Sequence, residues 1–135
     1  MNTNLKIFIA EDEDVLREIY SERFLKSGFD VKTFRNGLEL ISALSDDTPN
    51  IILLDVNMPE MNGYEVLQTI KENFQAQDKQ DVIVAIWSNL SSDADVQRAM
   101  RAGATTYFKK SEFSGQDLVE GVRGLCTKNM SAKKN

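Results

Sequence analysis

The stretch IILLDVNMPEMNGYEVL, residues 51–67, decides the fold and much of the chemistry. Its opening apolar run, residues 51–54, is typical of a buried strand in a parallel sheet. The run ends at the carboxylate of Asp55, and Pro59 and Gly63 then flank a loop that precedes a helical pattern. Ligands of open α/β sheets bind where strands end and helices begin, so Asp55 is the first candidate functional residue.

Three other predicted strands are also followed by polar side chains. These are Glu11 and Asp12 after residues 5–10, Ser88 after residues 82–87, and Lys110 after the short strand at 107–108. The carboxyl ends of parallel strands meet at one edge of a sheet. We therefore expect three acids, a hydroxyl and an amine to lie close together there.

Strand and helix patterns alternate along the whole chain. Five βα units predict one α/β domain, a doubly wound parallel sheet with helices on both faces. The first helix carries a helically spaced apolar set, which is Val15, Leu16, Ile19, Tyr20 and Phe24. We predict that the domain covers residues 1–126 and that the polar stretch 127–135 forms a mobile tail.

Composition excludes several classes of function. The net charge of −5, from 21 acids against 16 bases, argues against general nucleic-acid binding. No apolar run approaches the length of a membrane span, no signal peptide is visible, and Cys126 is the single cysteine. We therefore expect a cytoplasmic protein that neither binds nucleic acid nor enters a membrane. Histidine is absent, which excludes a Ser-His-Asp triad and means that any phosphohistidine must come from a partner.

Each candidate residue also has a simpler interpretation. The two acids after the first strand could only favour a helix N-terminus. Asp55 could be a turn residue, Ser88 a helix cap, and Lys110 a solvated lysine beside Lys109. None of these separate interpretations explains why complementary groups follow four different strands.

The chain resembles the response-regulator receiver domain. Four segments carry the resemblance: IFIAEDED, IILLDVNMPEMNGYEVL, VIVAIWS and AGATTYFKK. The resemblance covers residues 5–126, and an aspartate that ends a strand before xxMPxMxG is its most specific part. It implies a five-stranded (βα)5 flavodoxin-like fold with strand order 2-1-3-4-5.

The resemblance also implies a Mg²⁺ site. Asp12 would bind the ion directly, Glu11 through a water, and Asp55 and the backbone carbonyl of Asn57 would complete the protein ligands. Oxygen ligands of this kind suit a hard cation that keeps several waters.

For the chemistry, the resemblance implies that Asp55 accepts a phosphoryl group from the phosphohistidine of a sensor histidine kinase or a histidine phosphotransfer protein. Lys110 would supply positive charge to the phosphoryl oxygens, and Ser88 would donate a hydrogen bond. Among the two adjacent lysines, Lys110 fits the family because it lies three residues after Tyr107. The protein would catalyse only its own phosphorylation and dephosphorylation and would otherwise not be an enzyme.

Ser88 and Tyr107 match the switch positions of the family. Movement of the hydroxyl toward the phosphoryl group would let the ring turn inward, and a downstream protein would read the face formed by helix 4, strand 5 and helix 5. The simpler interpretation is an amphipathic tyrosine at a sheet edge. We expect a stand-alone regulator that signals by binding, as a monomer or weak dimer.

Some positions depart from the family. Ser111 replaces the proline that usually follows the lysine and commonly takes a cis peptide bond in the family. Because a cis bond is costly before any other residue, the sequence does not decide the geometry of the Lys110–Ser111 bond. Asn89 stands where a small residue is usual, and our hypothesis is that its bulk slows hydrolysis of the phosphoryl group. Trp87 is unusual beside the hydroxyl position, and we predict a core side chain. The stretch from Asp55 to Ser88 is a few residues longer than is usual in the family, and we expect the additional residues near 75–81.

Two rival functions differ in class. An aspartate-nucleophile phosphatase would need a second acid two residues after the nucleophile, and here that position is Asn57. A receiver-like adaptor would keep the acidic site without ever being phosphorylated. Turnover of an aryl phosphate would favour the first, and unchanged partner binding in Asp55→Ala would favour the second.

Overall fold

The computed structural model describes residues 4–56, 63–76, 82–90 and 92–134, with the backbone alone at 75–76 and 129–134. The strands are β1 (Lys6–Ala10), β2 (Asp30–Phe34), β3 (Ile51–Leu54), β4 (Ile83–Ser88) and β5 (Thr106–Lys109). The helices are α1 (Asp14–Lys26), α2 (Gly37–Ala43), α3 (Gly63–Ala76), α4 (Asp93–Ala102) and α5 (Gly115–Lys134).

The five strands form one parallel sheet in the order β2-β1-β3-β4-β5. This order confirms the predicted doubly wound fold. β3 and β4 are buried along their whole length, as their uninterrupted apolar sequences predict, whereas β2 lies at an edge and is mostly exposed. Pairing of β1 with β3 aligns Ala10 with Leu54, so the residues that follow both strands leave the sheet side by side.

Alternate residues of the central strands enter two hydrophobic cores, one on each face of the sheet. The core beneath α2, α3 and α4 contains Phe8, Ile52, Val84, Leu40 and Leu67. The core beneath α1 and α5 contains Ile7, Ile51, Ile83, Phe24 and Val122. These two layers hold the strand ends rigidly, which is what a site built from several strands requires.

The first helix buries only part of its helically spaced apolar set. Tyr20 and Phe24 are buried and Leu16 packs partly against the same core, but Val15 is 68% exposed and Ile19 is 41% exposed. Leu16, Tyr20 and Phe24 follow an i, i+4, i+8 line that faces the sheet. Val15 and Ile19 lie beside that line and stay exposed.

α5 continues through Lys134 and so includes most of the stretch 127–135, for which the sequence predicts a polar, mobile tail. Residues 127–134 contain no glycine or proline, and nothing in that sequence ends a helix. Across the described residues, every helix is too short or too polar to cross a lipid bilayer.

α4 begins with a capping box that Ser92 forms with Asp95. Ser91 and most of the expected extra length near 75–81 lie outside the described residues. The peptide bond between Lys110 and Ser111 is trans.

Candidate functional site

Three carboxylates meet where β1 and β3 end. The backbone N–H of Asp55 donates to the carbonyl of Ala10 at 3.3 Å, and the N–H of Glu11 donates to Phe34 at 3.1 Å. These bonds continue the sheet ladder and fix the backbone on which the acids stand. Carboxylate oxygens of Glu11, Asp12 and Asp55 all lie within 4.8 Å of one another. The group therefore concentrates negative charge at the predicted strand ends.

The three acids differ in exposure, which gives each a different setting. Glu11 is 2% exposed, the side chain of Asp55 is 13% exposed, and Asp12 is open to solvent. A ligand that arrives from solution would meet Asp12 first and Glu11 last. Glu11 therefore lies at the bottom of the site, and Asp55 lies at an intermediate depth.

Lys110 brings the positive charge to this cluster. Its Nζ lies 3.6 Å from Glu11 Oε1 and 3.6 Å from Asp55 Oδ2. Its backbone N–H donates to the carbonyl of Ser88 at 2.8 Å, which ties the end of β5 to the end of β4. Burial disfavours the ammonium, but Asp55, Tyr20 and Glu11 outweigh it and raise the pKa of Lys110 above its usual value. The lysine is therefore charged and directed at the acids.

Burial dominates the electrostatics of Glu11. It raises the pKa of that carboxyl from its usual 4.5 to about 7; the N–H of Glu13 opposes the shift and the charge of Asp55 adds to it. Glu11 Oε2 accepts from that N–H at 3.2 Å. Among the described residues, Glu11 Oε1 has no hydrogen-bond partner.

A buried carboxylate oxygen without a hydrogen bond, beside two more carboxylates, fits a hard divalent cation. The donor set is all oxygen, which is the preference of Mg²⁺. Asn57, the fourth predicted ligand, lies outside the described residues.

Ser88 and Tyr107 lie together on the β4 side of the site. Ser88 is fully buried, and its Oγ accepts from the N–H of Leu90 at 3.1 Å. The Tyr107 hydroxyl donates to the carbonyl of the same Leu90 at 2.7 Å, with its ring packed partly against the core beneath α4. Burial raises the pKa of Tyr107, and the Ser88 hydroxyl opposes that rise. Both side chains thus hold the loop that joins β4 to α4.

Two features of the site had no signal in the sequence. Arg17, one of several charged residues on α1, donates from Nη1 to the carbonyl of Glu11 at 3.0 Å. Trp87, predicted as a core side chain, and Tyr20 of α1 place their rings next to the Lys110 ammonium. Only the relative placement of α1, β4 and β5 reveals these contacts.

Comparisons with known proteins agree on one family. The response regulator receiver domain matches residues 7–123. The response regulator SaeR of Staphylococcus aureus is 33% identical over 122 residues, which are 90% of this chain and 50% of SaeR. The chain spans about half the length of the curated relatives it matches.

Solved structures show the same fold. Response regulator DrrB, a Thermotoga maritima OmpR/PhoB homolog, is 27% identical with a TM-score of 0.79, over 93% of this chain and 54% of DrrB. Chemotaxis response regulator CheY4 of Vibrio cholerae is 23% identical with a TM-score of 0.80, over 90% of this chain and 98% of CheY4.

Proposed function

The chain belongs to the response regulator receiver domain family, and we propose that it accepts a phosphoryl group on Asp55 and changes a protein-binding surface in response. Membership of the family implies a histidine kinase upstream and a target downstream. The observation that carries the proposal is the position of Asp55, at a strand end, within 3.6 Å of the Lys110 ammonium and beside two further carboxylates.

The transfer needs a nucleophile, a phosphoryl donor and a leaving group that keeps the electron pair of the broken bond. An oxygen of Asp55 forms a bond to phosphorus while the bond from phosphorus to a histidine nitrogen of the donor protein breaks. The imidazole keeps the electron pair and takes a proton from solvent. Hydrolysis later returns the carboxylate and inorganic phosphate, as water attacks phosphorus and the bond to Asp55 oxygen breaks.

Charge is the main obstacle, because a carboxylate must approach an anionic phosphoryl group. Asp12, Asp55 and Glu11 would hold Mg²⁺, with Asn57 as the proposed backbone ligand. When bound, the ion would neutralise charge on the phosphoryl oxygens. Lys110 would contribute the second positive charge from the β5 end, where its ammonium already lies against Asp55.

The response would begin at Ser88. Its hydroxyl would donate to the phosphoryl group, and movement of the Oγ that accepts from Leu90 would move the loop with it. Tyr107 holds the carbonyl of the same Leu90, so a shift of that loop would reach the surface formed by α4, β5 and α5. Such a switch needs two nearly balanced states that phosphorylation favours differently. The downstream protein would bind this surface.

Intact mass after incubation with Mg²⁺ and acetyl phosphate tests the proposal. We expect a gain of one phosphoryl group that chelation of Mg²⁺ and Asp55→Asn both abolish. Asp47→Asn is the matched control, because it removes a carboxylate from the opposite edge of the sheet. A gain that persists in Asp55→Asn would overturn the assignment, and no gain from either acetyl phosphate or a phosphorylated kinase would favour a binding role without phosphorylation.

A further inference from the structure

Two aromatic rings lie beneath the Lys110 ammonium. The Nζ atom is 5.8 Å from the ring centroid of Trp87 and 5.9 Å from that of Tyr20. The rings themselves meet edge to face, with centroids 6.1 Å apart and planes at 83°. Trp87 comes from β4 and Tyr20 from α1, so two elements converge on one charge. We call these two residues the aromatic pair.

The aromatic pair is well placed to attract the ammonium. Trp87 is 5% exposed, Tyr20 is 8% exposed, and the side chain of Lys110 is 13% exposed. A cation within about 6 Å of a ring centroid is attracted by the face of the ring, and the attraction strengthens when water is excluded. Both distances fall at that limit, and both rings are shielded.

The indole of Trp87 is also less stabilising than a purely apolar side chain would be at an ordinary core position. Among the described residues its buried Nε1 has no hydrogen-bond partner. A buried donor that lacks a partner destabilises the folded state, and Phe or Leu would avoid that cost. What tryptophan supplies, and leucine cannot, is the most attractive aromatic face for a cation.

We propose that Tyr20 and Trp87 are positioning residues that hold the Lys110 ammonium toward Asp55 and thereby set the rate of phosphoryl transfer. This inference rests on the proposed function of Asp55. Lysine has a flexible four-carbon chain, so its ammonium needs neighbours to fix it. The carboxylates of Glu11 and Asp55 and the two rings of the aromatic pair all lie close to the ammonium and together restrict its position.

The first test compares Trp87→Phe, which keeps an aromatic face, with Trp87→Leu, which does not. We expect the maximal rate of phosphorylation by acetyl phosphate to fall about fivefold or more in Trp87→Leu and to stay within about twofold of wild type in Trp87→Phe. Half-saturation by acetyl phosphate stays unchanged, since neither ring is proposed to touch the donor. Phe24→Leu is the control, because it removes a ring from the same core at the contact with Phe29.

A double-mutant cycle separates positioning from general loss of structure. In a Lys110→Met background, Trp87→Leu should slow phosphorylation no further, because the ammonium that it positions is gone. The proposal is overturned if Trp87→Leu leaves the rate unchanged, if it slows the Lys110→Met protein equally, or if Phe24→Leu slows phosphorylation as much.

Fluorescence gives a readout that does not depend on phosphorylation. Trp87 is the single tryptophan of the chain, so its emission reports this position alone. Lys110→Met should change the emission maximum or intensity, and Lys109→Met should not. If wild type takes up no phosphoryl group, the proposed function fails, and this comparison alone decides whether the ammonium lies against the indole. Equal emission in wild type and Lys110→Met would overturn the contact.

Discussion

Asp47, in the loop after α2, and Glu11, directly after β1, lie near opposite ends of that strand in opposite environments. At the amino end, Asp47 binds the Lys6 ammonium at 2.6 Å and the Lys32 ammonium at 3.0 Å. At the carboxyl end, Glu11 lies among other acids with Lys110 at 3.6 Å, and one of its oxygens lacks a hydrogen bond among the described residues. The acid that pairs with the first residue of β1 is thus satisfied, and the acid that follows the last residue of β1 is not.

The pKa values of the two acids follow this difference in surroundings. Hydrogen bonds from Lys6 and Lys32 lower the pKa of Asp47 to about 2, whereas burial raises that of Glu11 to about 7. Folding therefore favours the charged form of Asp47 and disfavours that of Glu11. The ion pairs of Asp47, near the amino ends of the strands, stabilise the fold. The buried carboxylate of Glu11, at the carboxyl ends, destabilises it but is positioned for a cation and a phosphoryl group.

The largest expected effect concerns metal binding at the carboxyl edge. Asp12→Asn should weaken Mg²⁺ binding about a hundredfold, because affinity depends on the number of charged oxygen ligands. Asp47→Asn should leave binding unchanged. Titration with Mg²⁺, followed by calorimetry, measures both. Equal affinities in wild type and Asp12→Asn would remove the proposed distinction between the two edges.

The next effect is a change in stability with pH. Between about 4.5 and 7 the folded, metal-free protein holds the Glu11 proton more tightly than the unfolded chain, so the contribution of Glu11 to stability falls as pH rises through this range. Glu11→Gln should therefore be more stable than wild type by on the order of 2 kcal/mol at pH 8 and about equally stable at pH 4.5. Urea unfolding with a chelator present measures this, and a difference that is the same at both pH values would contradict it.

Asp47 should show the opposite sign and a smaller effect. Its folded pKa of about 2 lies below the usual 3.8, so its contribution is complete above 3.8 and is lost as pH falls through about 2. Asp47→Asn should lower the free energy of unfolding by about 1 kcal/mol at pH 7, and less at high salt, because these ion pairs are partly exposed. A loss that does not respond to salt would indicate a packing effect instead.

The smallest expected effect tests the residue after Ser88. Asn89 is exposed in the loop that follows β4. If its bulk shields the phosphoryl group from water, Asn89→Ala should speed dephosphorylation by about twofold to threefold, less than the loss of one hydrogen bond would. Loss of the phosphoryl mass over time measures this rate. An unchanged rate would reject the hypothesis.

How much the sequence reveals depends on whether a feature is local. Uninterrupted apolar runs identified the central strands, and the strand ends identified Asp55, Glu11 and Lys110 as neighbours, because parallel strands must end at one edge. The exposure of Val15 and Ile19 could not be predicted, since periodicity does not fix which face of a helix meets the sheet.

Contacts between distant segments were also hidden from the sequence. Tyr20 and Trp87 are 67 positions apart and meet only when α1 packs against β4. Arg17 resembles any charged residue of an amphipathic helix until its contact with the Glu11 carbonyl is seen. Such residues are missed because their role depends on tertiary packing rather than on neighbouring sequence.

Chemical mapping identifies the residue that carries the phosphoryl group. Borohydride reduces an aspartyl phosphate to homoserine, so the protein would be phosphorylated with acetyl phosphate and Mg²⁺, reduced, digested and sequenced by mass spectrometry. We expect homoserine at position 55, with Asp47 and Asp12 unchanged. Homoserine at another aspartate, or a phosphoryl group that survives on a serine or threonine, would contradict it.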